Sequence, residues 1–338
     1  MFERILVPLD GSLRAERALA VAARLARAIS ATMILARVID LPAPFGPGAA
    51  PLEDVEALMA GERETAMRYL EDVARRPELV DVTTQREVSA AVAVAPALLE
   101  IIQTSRADLV VICSHGRTGF TRWRLGSVAQ KIARHASVPT LVLRSDGPNL
   151  VGASPAEALS IRALVPLDGS PEAETALEPA AQLIAALAAP GRGALHLLHV
   201  VQLEDAPHAY DSEKDSEKTM RLEAERYLRA VAERFQHASL ARLPLDVTWS
   251  VAFDADVAAA ILDQRASADH AYDIIAMASH GRSGWQLWMV GSVTERVLQT
   301  SDLPLLIVRP QSPALAQRTP DTLVKSKVGD EIAVWPGY

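Results

Sequence analysis

The chain has a single cysteine, few aromatics, no surplus of positive charge and no long apolar run, and each shortage removes a class of function. Cys113 alone cannot build an intrachain disulfide framework, which fits a reducing compartment. A formal net charge of -8 argues against a nucleic-acid backbone or an anionic membrane as partner, because both need concentrated Lys and Arg. No stretch approaches the ~20 apolar residues of a membrane span, and Met1 to Ile5 runs straight into a strand pattern, so the expected location is the cytoplasm. Aromatics make up 4% of the 338 residues and apolar residues 49%. The core must therefore come from Ala, Val and Leu, which suits helices laid on a parallel sheet.

What the sequence does have is a duplication. Ser114-His115-Gly116-Arg117-Thr118-Gly119, running on to Gly126-Ser127-Val128, returns as Ser279-His280-Gly281-Arg282-Ser283-Gly284 and Gly291-Ser292-Val293, with nine residues between the outer glycines each time. Each copy follows an apolar run, residues 108–113 or 273–278, that reads as a buried parallel strand. Each precedes a helix opening at Ser-Val. Small residues, backbone N–H groups and a hydroxyl delivered to a helix N-terminus suit a phosphate. Upstream, residues 4–12 (Arg-Ile-Leu-Val-Pro-Leu-Asp-Gly-Ser) match residues 162–170 at all but one position.

With that register, each half reads as five strands alternating with four helices. Strands are expected near residues 4–10, 32–39, 80–88, 108–113 and 139–144, and again near 162–168, 194–201, 245–251, 273–278 and 304–309. Long helices are expected near 13–29, 52–75 and 218–235, with another opened by Pro171, a favoured first-turn residue. The partition is a first domain over residues 1–144, a Gly/Pro/Ser/Asn-rich linker over 145–160, a second domain over 161–310 and an irregular tail over 311–338.

Val-Pro-Leu-Asp-Gly-Ser near each start, Ser-His-Gly-Arg with Gly-x9-Gly-Ser near each end, and the closing Val-Pro-Thr-Leu-Val-Leu and Leu-Pro-Leu-Leu-Ile-Val resemble the universal stress proteins of the UspA family, in a tandem two-domain form. The resemblance implies an α/β fold of two tandem doubly wound parallel five-stranded sheets, strand order 3-2-1-4-5, of the adenine nucleotide alpha hydrolase-like kind. It implies ATP or a related adenine nucleotide, with or without Mg2+, in the crevice where the winding reverses between strands 1 and 4. Carried over residue by residue, the nucleotide site is Pro8, Asp10, Val38, Cys113, Gly116, Arg117, Gly126, Ser127 and Val128 in the first half. In the second it is Pro166, Asp168, Val200, Ala278, Gly281, Arg282, Gly291, Ser292 and Val293. Cys113 and Ala278 stand where the pattern Gly-x2-Gly-x9-Gly-Ser/Thr has its first glycine.

The resemblance also implies pairing of the fifth strands. Residues 140–144 and 305–309 are apolar edges whose antiparallel pairing within one chain gives an intrachain pseudo-dimer; a homodimer of whole chains is a further state. The implied role is a stress-response regulator whose occupied sites alter a surface read by an unidentified regulatory protein partner. The alternative is a stress scaffold that binds no nucleotide and acts through protein contacts.

Each residue has a plainer reading. The loop glycines can serve tight turns, Ser127 and Ser292 can be helix N-caps, and Asp10 and Asp168 can cap the helices that follow them. His115 and His280 have no Asp or Ser at triad spacing, which favours a loop-ordering hydrogen bond over catalysis. Cys113 reads as a small residue ending a buried strand ahead of an oxidant sensor. Trp123, Trp285 and Trp288 read as covering or interface residues. Neither Gly loop carries the lysine of a P-loop, and no paired carboxylates or Cys/His metal spacing are evident, so little or no catalysis is expected, at most a slow ATPase or autophosphorylation.

Overall fold

The computed structural model describes residues 1–41, 52–114, 125–144, 147–152, 157–202, 213–237, 239–264, 271–280 and 290–310. The first half runs β1 (Arg4–Pro8), α1 (Leu13–Ile29), β2 (Thr32–Asp40), α2 (Leu52–Ala74), β3 (Thr84–Ala91), α3 (Val94–Thr104), β4 (Leu109–Cys113), α4 (Ser127–His135) and β5 (Thr140–Leu143). The second runs β6 (Arg162–Leu167), α5 (Pro171–Glu174), α6 (Leu177–Ala188), β7 (Gly193–Val201), α7 (Glu213–His237), β8 (Leu245–Phe253), α8 (Val257–Asp263), β9 (Ile274–Ala278), α9 (Ser292–Thr300) and β10 (Leu305–Val308).

Strand order is β3-β2-β1-β4-β5-β10-β9-β6-β7-β8, so both halves have the 3-2-1-4-5 arrangement. Every pairing within a half is parallel. The central strands β1, β4, β5, β6, β9 and β10 are apolar on both faces because both are covered. Ile5, Val7, Leu35 and Val111 face a core shared with α1, α6 and α7, while Leu6, Ile34, Val110 and Ile112 face the α3, α4, α8 and α9 side.

The two five-stranded sheets join as one. β5 and β10 pair antiparallel through Thr140↔Ile307, Leu141↔Leu306 and Val142↔Leu305. All six residues are buried, and each edge satisfies the other's backbone groups. Above the seam Gln130 of α4 donates to Glu295 of α9 at 3.2 Å, and Arg134 makes an ion pair with the same carboxylate. Because the seam is antiparallel, the carboxyl ends of the two sets of parallel strands point to opposite ends of the molecule.

Two local expectations change. The helix opened by Pro171 is two helices, α5 and α6, broken at residues 175–176. Pro179 has no N–H for the carbonyl of Thr175, and its ring crowds that carbonyl; the equivalent position in the uninterrupted α1 is Val21. Strand β3 begins at Thr84 instead of near residue 80, because residues 77–79 form a 3-10 turn and Asp81 has φ 67, a left-handed conformation that cannot extend a strand.

The connection between halves is held by Arg24, which is 3% exposed. Its guanidinium donates to the carbonyls of Leu187 (2.6 Å), Val151 (3.1 Å), Glu157 (2.7 Å) and Ala189 (2.8 Å). Among the described residues, no helix is long and apolar enough to cross a membrane. The expectation of an irregular tail falls on residues 311–338, outside the described residues.

Candidate functional site

At the carboxyl ends of β6, β7 and β9 lies a cavity of about 930 Å³, within the ~300–1,000 Å³ usual for small-molecule sites. It sits between β6 and β9, where the winding of the second half reverses. Its floor begins at the turn after β6. Gly169 has φ 84, so the chain bends sharply there. The Asp168 carboxylate accepts from Ser170 N at 3.0 Å, and Ser170 Oγ in turn accepts from Ala173 N at 3.1 Å. The first half repeats this, with Asp10 accepting from Ser12 N at 2.9 Å and Ser12 Oγ accepting from Ala15 N at 3.1 Å. Ser12 and Ser170 are therefore the helix caps, and Asp10 and Asp168 brace them from outside the helix, which corrects the capping role read from sequence.

The opposite wall is the start of α9. Gly291 N donates to Ser279 O at 2.8 Å, closing the two ends of the Gly loop on each other, as Gly126 N does to Ser114 O at 2.7 Å. The N-caps are Gly126 and Gly291, neither helix has a side-chain cap bond, and Ser127 and Ser292 are the first helical residues. That corrects the N-cap reading of the serines. The first intrahelical bond of α9 is Glu295 N to Gly291 O at 2.8 Å, so the amides of Ser292, Val293 and Thr294 precede the ladder and face the region where an anion gains most. Thr294 Oγ1 donates to Ala278 O at 2.9 Å and ties the helix start to the end of β9.

Gly126 and Gly291 are glycines for which the backbone gives no reason. Their φ/ψ values are -60/147 and -59/149, open to any residue. A Cβ at Gly291 would meet only Ser279 O at 3.5 Å and His280 Cα at 3.9 Å, ordinary contacts. The tight-turn reading therefore fails at both positions on backbone angle, and at Gly291 the missing side chain leaves space over the helix N-terminus.

Of the residues expected in the second half, Pro166, Asp168, Val200, Ala278, Gly291, Ser292 and Val293 line this one cavity. In the first half Pro8, Asp10, Val38, Cys113, Gly126, Ser127 and Val128 take the equivalent places at the ends of β1, β2 and β4 and the start of α4. Gly116, Arg117, Gly281, Arg282, His115 and the three tryptophans lie outside the described residues. Cys113 approaches Ala15 O at 3.8 Å, and burial pushes its thiol up to about 12, which removes the thiolate an oxidant would attack.

Sequence reasoning missed the third wall. Thr219, Met220, Glu223 and Tyr227 of α7 and His199 of β7 also line the cavity. The helical spacing of the α7 set was visible, but which face of that helix turns inward is set by packing. Tyr227 stands edge-on to His199, with centroids 5.7 Å apart. Glu174 pairs with Arg234 at 2.8 Å, repeating the first half, where Glu16 accepts from Tyr69 at 2.8 Å and Arg76 at 2.9 Å. The halves differ at the position of His199, which in the first is Arg37. Its guanidinium lies 4.8 Å from the Tyr69 ring and would be 2.9 Å from a Cβ on Gly11, whereas nothing lies within 4 Å of one on Gly169. Among the described residues, a guanidinium thus lies over the first crevice at a point where the second has no counterpart.

His280 makes the loop-ordering bond expected of it, Nδ1 to Ser279 Oγ at 2.9 Å. Its buried Nε2 has no hydrogen-bond partner among the described residues. Burial, and then the charge of Arg309, lower its pKa. An imidazole titration followed by NMR should give a midpoint below the ~6.5 of a free histidine. The unfolded chain then binds the extra proton first, so stability contributed here is complete above about pH 6.5 and declines as pH falls below it. A midpoint above that of free histidine would contradict the packing.

Comparison with known proteins agrees across nearly the whole chain. The universal stress protein family model matches residues 1–144 and 162–309. A universal stress protein of Mycolicibacterium smegmatis is 28% identical over 313 residues, covering 91% of this chain and 97% of that one. One from Mycobacterium tuberculosis is 31% identical over 218 residues, covering 63% of this chain and 65% of its own. The crystal structure of a universal stress protein from Archaeoglobus fulgidus superposes with a TM-score of 0.61 at 21% identity, covering 90% of this chain and 98% of that one.

Proposed function

The chain belongs to the universal stress protein family, and from that premise we propose that it is a stress-response regulator that holds an adenine nucleotide, ATP foremost, in one or both switch-point crevices. The observation that carries this reading is the pair of glycines, Gly126 and Gly291, kept at helix N-termini where the backbone angles ask for glycine at neither and the packing asks for none at Gly291. Phosphate oxygens against the amides of Ser292, Val293 and Thr294 would use the space they leave. The apolar side chains of Val200 and Met277, with His199 and Tyr227 beyond, supply a wall for a flat base. The second crevice, free of the Arg37 cover, is the better site.

Mg2+ would depend on phosphate oxygens and water, with Asp168 as a lining carboxylate, since the described residues hold no group of three or more metal-ligating side chains. The described lining of the cavity contains neither Lys nor Arg, and its His280 is held neutral. Neither Gly loop carries the lysine of a P-loop, so the site is read as one that holds a nucleotide ahead of stabilising charge on a transferred phosphoryl group. ATP hydrolysis should run far below the ~10 s⁻¹ of a dedicated enzyme; a metal-dependent rate of that order would contradict the assignment.

Denaturing the purified protein and identifying any released small molecule by mass spectrometry, followed by calorimetric titration with ATP, ADP and AMP, tests the reading. Release of an adenine nucleotide, or saturable heat with one of the three, is the expected result. No release and no heat at millimolar concentration would favour the scaffold.

A further inference from the structure

A two-fold relation between the halves makes grooves in pairs, and among the described residues one of the pair is filled. On one side of the β5–β10 seam, residues 147–152 lie across the ends of both halves. Leu150 is 1% exposed. A Cβ on Gly147 would be 3.3 Å from Arg144, from Asp302 O and from Pro304, and Val151 O accepts from Arg24 at 3.1 Å. On the other side is a cavity of about 570 Å³ lined by Ser137, Pro139, Pro179, Gln182, Val308 and Arg309, among others. These are the counterparts of the first set. The register that aligns Gly126 with Gly291 puts Ser137 and Pro139 opposite Asp302 and Pro304, and Arg309 opposite Arg144; that which aligns Asp10 with Asp168 puts Gln182 opposite Arg24.

The sequence names an occupant for the open groove. After Arg144 come Pro148 and Leu150; after Arg309, at the same two spacings, come Pro313 and Leu315. We infer that residues 312–316 of the tail dock in this groove as residues 147–151 do in theirs, with Leu315 in the place of Leu150. The chain leaves β10 at the groove itself, since Val308 and Arg309 line it. Residues 311–318 carry one cation, Arg318, and no carboxylate, and the groove is rimmed by Asp108, Glu174 and Glu178.

This inference is independent of any nucleotide.

Hydrogen exchange on the full chain, read by mass spectrometry, tests it. Amides of residues 311–317 should exchange at least about tenfold more slowly than in an unstructured peptide of the same sequence. Leu315→Asp should return them to the peptide rate while β10 stays protected. Gln182→Trp, which fills the groove from the other side, should release the tail in the same way. Exchange of residues 311–317 at the peptide rate in the unaltered chain would overturn the inference, and so would protection that appears only as protein concentration rises, which would place a neighbouring copy's tail in the groove.

Discussion

Replacing Gly126 and Gly291 together with valine should weaken ATP, ADP and AMP binding by about a hundredfold or more while the protein stays folded. Both residues sit at ordinary φ/ψ, so valine meets no forbidden backbone. At Gly291 the nearest atoms to a new Cβ are 3.5 and 3.9 Å away, so the fold has room for it. The branched side chain instead takes the space over the first-turn amides, where each favourable anion contact is worth ~0.3–1 kcal/mol. Several such contacts would be lost together. The folded state should lose about 1 kcal/mol or less from a changed helix cap, a shift of a few degrees in thermal midpoint. Gly291→Ala should fall between the two. Calorimetry finding the double variant equal to a nucleotide-binding parent would remove glycine's assigned role.

Arg24→Met should destabilise the chain by about 3–5 kcal/mol, the largest loss expected from one substitution outside the apolar core. Arg24 is buried and its guanidinium bonds four carbonyls, two on the connecting segment and two, Leu187 and Ala189, at the end of α6. Carbonyls at a helix end have no intrahelical donor, and a cation there also opposes the helix dipole. Methionine keeps the volume and leaves those oxygens dry and unpaired. Lysine should recover only part of the loss, because one ammonium cannot reproduce a planar fork. Urea unfolding gives the measurement, and the two halves should begin to unfold at separate midpoints. A midpoint unchanged in Arg24→Met would mean that water replaces the guanidinium without cost.

The two cases divide what the sequence makes legible from what it does not. Strand order and the seam could be anticipated because the repeated motifs ending in Asp10 and Asp168 carry the family resemblance that implies them, with two apolar edges at residues 140–144 and 305–309 to pair. The seven described second-half positions carried over from the family motif meet at one cavity for the same reason. Arg24 gave no such signal. An arginine in an alanine-rich helix reads as a solvated residue, and its burial depends on a segment more than a hundred residues downstream passing over it. Thr219, Met220, Glu223 and Tyr227 share a helix face by spacing, yet spacing alone does not say which face turns to the sheet. At Gly126 and Gly291 the residue was visible and its reason was hidden, because only the backbone angles separate a turn glycine from one that leaves room. Pro179 was legible in principle, since a proline nine residues into an expected helix already forbids one of its bonds.

The antiparallel seam also has a consequence in time. β5 ends at Leu143 and its partner β10 ends at Val308, so a ribosome adding ~5–20 residues per second needs roughly 10–30 s to deliver the second strand after the first. Through that interval the Thr140–Leu143 edge is a nascent chain's open template, and neighbouring chains on the same message carry the same one. The hazard ends only when β10 leaves the exit tunnel. Chains cut short anywhere between the two strands never reach that point, and such fragments are the species for which chaperone capture matters most.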